Sequence, residues 1–208
     1  MSIIEAIYLL GWIAAEVIRF PHRQRMKRSF REHSTAESRI GAPEFIFDMT
    51  AYFGTQVLPL VCIFTRWFSF ADYSLPPAAG WAGVVLFAAC IGLLWRAHAD
   101  LGRNWSASIE LQQGHTLITR GIYASVRHPI YAALWLWSLA QPLLIQNWIG
   151  GLAGLVTYAL LYFTRVPREE QMLLDRFGEE YRTYMRKTGR VLPRLQPERV
   201  PDEKYRPS

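Results

Sequence analysis

Between Gly121 and Tyr131 the chain reads GIYASVRHPIY, and a pair of carboxylates, Glu169 and Glu170, follows further on after a long apolar run. Arg127, His128 and Tyr131 stand at the edge of that run, with Tyr123 shortly before them. Polar side chains bordering hydrocarbon are costly and persist where they bind or react with something. Arginine can fork onto a carboxylate, while glutamate and tyrosine can take an ammonium or the hydroxyls of a ribose. The set therefore suits an amphoteric small molecule carrying both signs of charge, and S-adenosylmethionine is one such molecule. Methyl transfer from a sulfonium needs little acid or base help when the acceptor is a thiolate or a carboxylate, so positioning and charge placement could carry most of the rate.

Other chemistries lack their residues. No GxGxxG turn follows a strand, which disfavours a nicotinamide dinucleotide, and there is no GxSxG elbow or Ser/His/Asp set. Cys62 and Cys90 lie in apolar runs without CxxC or Cys/His ligand spacing, so no metal site is expected and both read as small buried hydrophobes. Taken singly, the polar residues also have plainer readings. Arg127 could be a positive-inside anchor, His128 with Pro129 a helix start, and Glu169 with Glu170 a response to the dipole of a helix beginning at Pro167. Trp135 and Trp137 read as belt or packing residues. His22, His33, His98 and His115 read as surface or border histidines, with His115 the nearest to the motif.

The elements that must hold these groups are membrane spans. The chain has 208 residues, eight tryptophans and a formal net charge of +6, and its apolar and basic stretches are segregated. Basic residues beside apolar spans point to anionic lipid headgroups and away from nucleic acid. A helix rises about 1.5 Å per residue, so about 20 apolar residues cross a bilayer. Residues 3 to about 20 form a first span, ended by Arg19, and the Glu5 and Glu16 in it argue against a cleaved signal peptide. A basic loop follows. The second span runs from about 45 to 67, interrupted by Asp48 and kinked by Pro59; the third runs from about 77 to 98. After a second basic loop over 96–128, the apolar run from Pro129 to Phe163 divides into a hairpin of two spans around 146–150, its first arm bent by Pro142.

The alternation of basic and non-basic loops fits an all-α integral membrane protein of five transmembrane helices, amino terminus outside and carboxyl terminus in the cytoplasm. The first basic loop, the RHP motif and the segment after Arg165 then share the cytoplasmic side. Residues 1–208 form a single domain: 1–95 supply three spans and the first basic loop, 96–193 carry the motifs, and 194–208, rich in proline, form a flexible tail. In the carboxyl-terminal segment Glu170, Leu174, Phe177, Tyr181 and Tyr184 recur at three- and four-residue steps, which turns Glu170 inward and leaves Glu169 beside it. Gly178 divides that segment into two helices.

RHPIY at 127–131, EE at 169–170 and FGEEYRTYMRKTGRVLP after it resemble the isoprenylcysteine carboxyl methyltransferase family and its bacterial relatives, including phospholipid methyltransferase-like proteins. LGRNWS at 101–106 and HTLITRGIY at 115–123 look like that family's lead-in. The resemblance implies an integral membrane enzyme that uses S-adenosylmethionine on the cytoplasmic side and takes a lipophilic or prenylated acceptor from the bilayer. Carried onto these residues, it implies cofactor contacts from His128 and Tyr131, closed by Glu169 and Glu170, with His115, Tyr123 and Pro129 completing the cofactor set. Arg127, Glu170 and Arg190 would be the catalytic group, the arginines orienting a carboxylate of acceptor or cofactor. Ala133 stands where the family often has glycine, which bears on the acceptor passage. The membrane would be the inner membrane of a bacterium or the endoplasmic reticulum of a eukaryote. A nicotinamide-dependent sterol-type reductase and a nonenzymatic membrane adaptor or transporter remain as alternatives; the acceptor's identity and the oligomeric state are not set by the sequence.

Overall fold

A computed structural model describes residues 1–32, 42–101 and 117–194; for 25–32 and 42–45 it describes the backbone alone. His33 and His115, residues 102–116 of the second basic loop and all but the first residue of the tail lie outside the described residues. The helices are α1 (Ile3–Glu32), α2 (Ala42–Tyr52), α3 (Leu58–Phe64), α4 (Pro77–Leu101), α5 (Pro129–Ile145), α6 (Trp148–Phe177) and α7 (Glu179–Lys187). No strand longer than an isolated bridge occurs among the described residues. The all-helical expectation holds.

Three stretches are long and apolar enough to cross a membrane: Ile46–Phe64, Pro77–Leu101 and Trp148–Phe177. The apolar helix α5 has 17 residues. Among its apolar residues α1 carries Glu5, Glu16 and Arg19. This is an integral membrane protein.

Two helix boundaries differ from the sequence expectation, both at proline. The first span was expected to end at Arg19 and give way to a loop, yet α1 continues through Pro21 to Glu32. Likewise Pro167 does not begin a new helix; it lies inside α6, which runs unbroken from Trp148 to Phe177. Proline removes one helical donor and crowds the preceding turn, and packing or neighbouring groups can offset that cost. Glu169 and Glu170 are consequently far from any helix start, which removes the helix-dipole explanation for them. At Pro59 the expected distortion is present: a π-helical turn, Phe53–Val57, links α2 to α3 and Pro59 sits in the first turn of α3. Gly178 separates α6 from α7 with a φ of +53°.

The core lies where α1, α4 and α5 meet. Tyr8 stacks on Phe87, both meet the edge of Trp137, and Cys90, Leu94, Ala133, Ala140 and Leu144 fill the space around them. The packing reading of Trp137 and Cys90 holds, and both are fully buried. Arg19, expected only to end the span, is held under α5 by its guanidinium over the Trp137 ring at 5.4 Å and by Glu16 at 3.2 Å.

The hairpin between α5 and α6 is pinned at its tip. Gln146 takes a left-handed conformation, and Asn147 caps α6 by accepting hydrogen bonds from the amides of Ile149 and Gly150. Its amide also donates to the Phe68 carbonyl at 2.8 Å and to the Asp72 carboxylate at 2.7 Å. One buried side chain thus fixes the α3–α4 loop against the hairpin. Replacing Asn147 with Ala removes the cap and leaves the amides of Ile149 and Gly150 without their acceptor, a loss of about 1–2 kcal/mol for the cap alone. The expected result is a lowered Tm of the detergent-solubilised protein; an unchanged Tm would show that the hairpin tip is held by other contacts.

Candidate active site

Pro129 occupies the first turn of α5, where its missing N–H costs nothing, and the chain enters that helix through His128. Upstream, Gly121 takes φ +62° so that the Asp100 carboxylate can accept from the Ile122 amide at 2.7 Å. A Cβ at Gly121 would meet that carboxylate at 2.2 Å, so only glycine fits. The carboxyl-terminal segment then returns to this entry. Gly189 donates to the Ser125 carbonyl, the Arg127 amide donates to the Gly189 carbonyl and the His128 amide to that of Arg190, each at 2.9–3.1 Å. Tyr184, on α7, donates to the Tyr123 carbonyl at 2.7 Å, and buried Thr188 donates to that of Tyr184.

This clasp brings the two halves of the motif set together. Glu170, on α6, is 5% exposed and accepts from Arg127 Nε at 2.7 Å and from Arg190 Nε at 3.1 Å, while Arg190 Nη2 pairs with its other oxygen. His128 Nε2 lies 3.2 Å from the same carboxylate. Arg127 also donates to the Thr188 carbonyl at 2.7 Å, so its fork is already engaged within the protein. The hydrogen bonds to Glu170 raise the Arg190 guanidinium above its ordinary value, and burial raises the phenols of Tyr123, Tyr181 and Tyr184. All three phenols are neutral hydroxyls at physiological pH.

Glu169 is situated differently. Its side chain is 28% exposed, Tyr131 donates to it at 2.7 Å, and His128 Nδ1 is 4.0 Å away. The backbone beneath Tyr131 is fixed from α6, because Tyr158 donates to the Tyr131 carbonyl at 2.7 Å. Arg165, one turn before Glu169, pairs with Asp48 of α2 at 2.5 Å. Three guanidiniums (Arg127, Arg165, Arg190) and three carboxylates (Asp48, Glu169, Glu170) thus meet at one end of the bundle.

Of the residues singled out in the sequence, Arg127, His128, Tyr131, Glu169, Glu170 and Arg190 converge here, and Pro129 and Tyr123 shape the entry. Ala133 is fully buried in the α1/α4/α5 core, where it packs with the small and aromatic residues of that cluster. Sequence reasoning missed Thr188, Tyr158 and the Asp48–Arg165 pair, and it put Tyr184 on the inward stripe without its bond to the Tyr123 carbonyl. A signal for α6 existed: Gly154, Tyr158, Tyr162, Val166 and Glu170 recur every fourth residue and are all buried, a register that runs straight through Pro167. Asp48 and Arg165, each in or at the end of an apolar run, carried opposite charges that could have suggested a partnership.

The architecture defines a helical integral membrane protein with a charged site at one end of its α5–α6 pair. Residues 81–175, which contain RHPIY and the carboxylate pair, match the model of the "Isoprenylcysteine carboxyl methyltransferase (ICMT) family". Protein-S-isoprenylcysteine O-methyltransferase of Rattus norvegicus is 32% identical over 110 residues, which are 53% of this chain and 39% of the relative. The protein of the same name from Schizosaccharomyces pombe is 31% identical over 108 residues, 50% of this chain and 46% of the relative. This chain therefore spans less than half the length of these curated relatives. A solved structure of the eukaryotic intramembrane Ras methyltransferase ICMT aligns at 25% identity over 74% of this chain and 54% of that one, with a TM-score of 0.48.

Replacing Glu170 with Ala would leave the Arg127 guanidinium, 10% exposed, without its carboxylate. Breaking a buried pair in this way costs about 3–5 kcal/mol. The expected outcome is faster tryptic cleavage at Arg190 and a lower Tm than for Glu170→Gln, which keeps an acceptor oxygen. Equal protease resistance in the wild-type and Ala proteins would show that the backbone bridge holds the clasp alone.

Proposed function

We propose that this chain is an integral membrane methyltransferase that moves the methyl group of S-adenosylmethionine onto a lipophilic acceptor, an isoprenylcysteine-type carboxylate or another lipidic carboxylate, thiol or amine. The observation that carries this reading is the division of labour within the carboxylate pair. Glu170 is saturated by Arg127, Arg190 and His128, whereas Glu169 is partly exposed and bonded to Tyr131. Both lie in the segment, residues 81–175, that matches the methyltransferase family model.

The residues suit the cofactor's charges. Glu169 offers carboxylate lone pairs to an ammonium or a ribose hydroxyl, and Tyr131 and His128 place aromatic rings 5.5 Å apart beside it. Tyr123, Pro129 and His115 complete the cofactor set on this reading. When bound, S-adenosylmethionine supplies an electrophilic methyl group on a sulfonium. The protein's part is to hold donor and acceptor in line and to balance their charges, which converts a bimolecular encounter into an oriented one. Glu170 serves by fixing Arg127 and Arg190; Arg127 is engaged within the protein, and Arg190, 43% exposed, is the guanidinium open to an incoming carboxylate. No group needs to change protonation state for that step when the acceptor is already an anion.

The reading includes five spans with the amino terminus outside. In support, α1 is about 45 Å long at 1.5 Å per residue, which exceeds the roughly 30 Å hydrocarbon core and leaves its basic last turns beyond the membrane. The aqueous labelling of single cysteines at Ser38 and Ser74, each measured against the parent background of Cys62 and Cys90, is expected from opposite faces, Ser38 from the cytoplasm. Labelling of both from one side would remove the five-span arrangement.

Calorimetric titration of the purified protein is expected to show binding of S-adenosylmethionine and none of NADPH. Glu169→Gln should weaken that binding by about tenfold, the equivalent of one charge-assisted hydrogen bond of about 1.4 kcal/mol. Binding of NADPH alone would overturn the methyltransferase reading in favour of a reductase, and undiminished affinity in Glu169→Gln would remove Glu169 from the cofactor site.

A further inference from the structure

The cofactor site described above leaves the Asp48–Arg165 pair without a task. Arg165 Nη1, on α6, lies 2.5 Å from Asp48 Oδ1, on α2. The two helices are also packed on each other farther along the same contact. Gly54, in the π-helical turn after α2, sits so close to α6 that a Cβ there would collide with Thr157 Oγ1 and the Ala153 carbonyl. Gln141 of α5 donates to the Gly54 carbonyl at 2.9 Å. Packing therefore places Asp48, and the pair is more than a meeting of long side chains at a surface. Arg165 has a second carboxylate within reach. Glu169 follows it by four residues on α6, a spacing that makes side chains neighbours on a helix, and the charges of Asp48, Glu169 and Tyr131 all act on Arg165. Two carboxylates compete for one guanidinium: Arg165 Nη1 is on Asp48, while Glu169 accepts from the Tyr131 hydroxyl at 2.7 Å.

We propose that Asp48 is a positioning residue for the cofactor site: by holding Arg165 off Glu169 it keeps that carboxylate available to the ammonium or ribose hydroxyls of the ligand. Glu169 takes its ligand role here from the methyltransferase reading, on which this rests, whereas the competition for Arg165 stands without it. A guanidinium seated on Glu169 would neutralise the one partly open carboxylate of the pair and occupy its lone pairs. The second membrane segment, which lies outside residues 81–175, thereby acts on the site through one charge. A plain interhelical staple has a different signature. In a staple, removing either partner loosens the same contact. Here the partners act in opposite directions, because loss of Asp48 releases Arg165 towards Glu169 and loss of Arg165 removes the competitor.

The test uses the whole chain in nanodiscs and two readouts. Without cofactor, carboxyl groups are tagged with a water-soluble carbodiimide and glycine ethyl ester and mapped by mass spectrometry. Glu169 is expected to label in the wild type, about threefold less in Asp48→Asn, and again at the wild-type level in Asp48→Asn/Arg165→Gln, as coupling between neighbouring charges predicts. Buried Glu170 serves as the unlabelled control. In the second readout S-adenosylmethionine is titrated. Asp48→Asn should weaken binding about tenfold, the loss expected for Glu169→Gln, because both take the carboxylate from the ligand. Asp48→Glu, which keeps the charge, should stay within about threefold of the wild type, and the double variant should bind at least about threefold more tightly than Asp48→Asn. If Asp48→Asn fails to fold, Asp48→Ser, whose hydroxyl still accepts a hydrogen bond, takes its place with the same expected outcomes. An Asp48→Asn protein that labels and binds like the wild type, a double variant as weak as the single one, or equal losses in Asp48→Asn and Arg165→Gln would each overturn the proposal. If the wild type binds no S-adenosylmethionine, the methyltransferase reading fails, and the labelling of Glu169 alone decides whether Asp48 holds Arg165 away.

Discussion

The ion cluster on Glu170 is the constraint on which the site depends. Its carboxylate is buried on α6 and is met by Arg127 at the entry to α5, by Arg190 from the carboxyl-terminal segment and by His128. A carboxylate in that position costs several kcal/mol of desolvation unless nearly every lone pair is occupied. Three donors from two other segments supply that occupancy. The energetic demand of one side chain therefore decides where two distant stretches of chain must lie, and the backbone bridge from Ser125–His128 to Gly189–Arg190 follows from it as much as it supports it.

That arrangement separates two roles which adjacent glutamates could otherwise share. Glu170 is consumed in holding the clasp, and Glu169, one position earlier and rotated by about 100° around α6, faces Tyr131 with part of its surface open. The helix is continuous through Pro167, so this rotation is fixed by α6 as a whole. A helix that began at Pro167 would leave both carboxylates at a frayed, solvated end. Because the register of α6 is set inside the membrane by Gly154, Tyr158, Tyr162 and Val166, the apolar packing of the bundle positions the polar site. Substitutions on that buried stripe are expected to act at the site through the register they set.

Much of this was legible in the residues themselves. The segregation of apolar and basic stretches gave a helical membrane protein, the i, i+4 repeat turned Glu170 inward, the Gly178 break separated α6 from α7, and the ordered motifs pointed to the family whose model residues 81–175 match. These features are local: each depends on period, side-chain type or backbone freedom within one or two turns. Reading by punctuation failed at Pro21 and Pro167, two exposed prolines through which the helices run on.

Only the tertiary structure decided which charge meets which. Sequence could show that Arg127, Arg190, Glu169 and Glu170 belong together, but Arg127 as a free fork for a ligand and Arg127 committed to Glu170 have the same sequence. The Asp48–Arg165 pair joins residues separated by 117 positions, and Thr188 enters through its carbonyl, which no side-chain pattern reports. The physical reason is range. Helical periodicity is fixed by bonds within four residues, whereas the pairing of buried charges is settled by which partners remain within hydrogen-bond distance after the apolar faces of α4, α5 and α6 have packed.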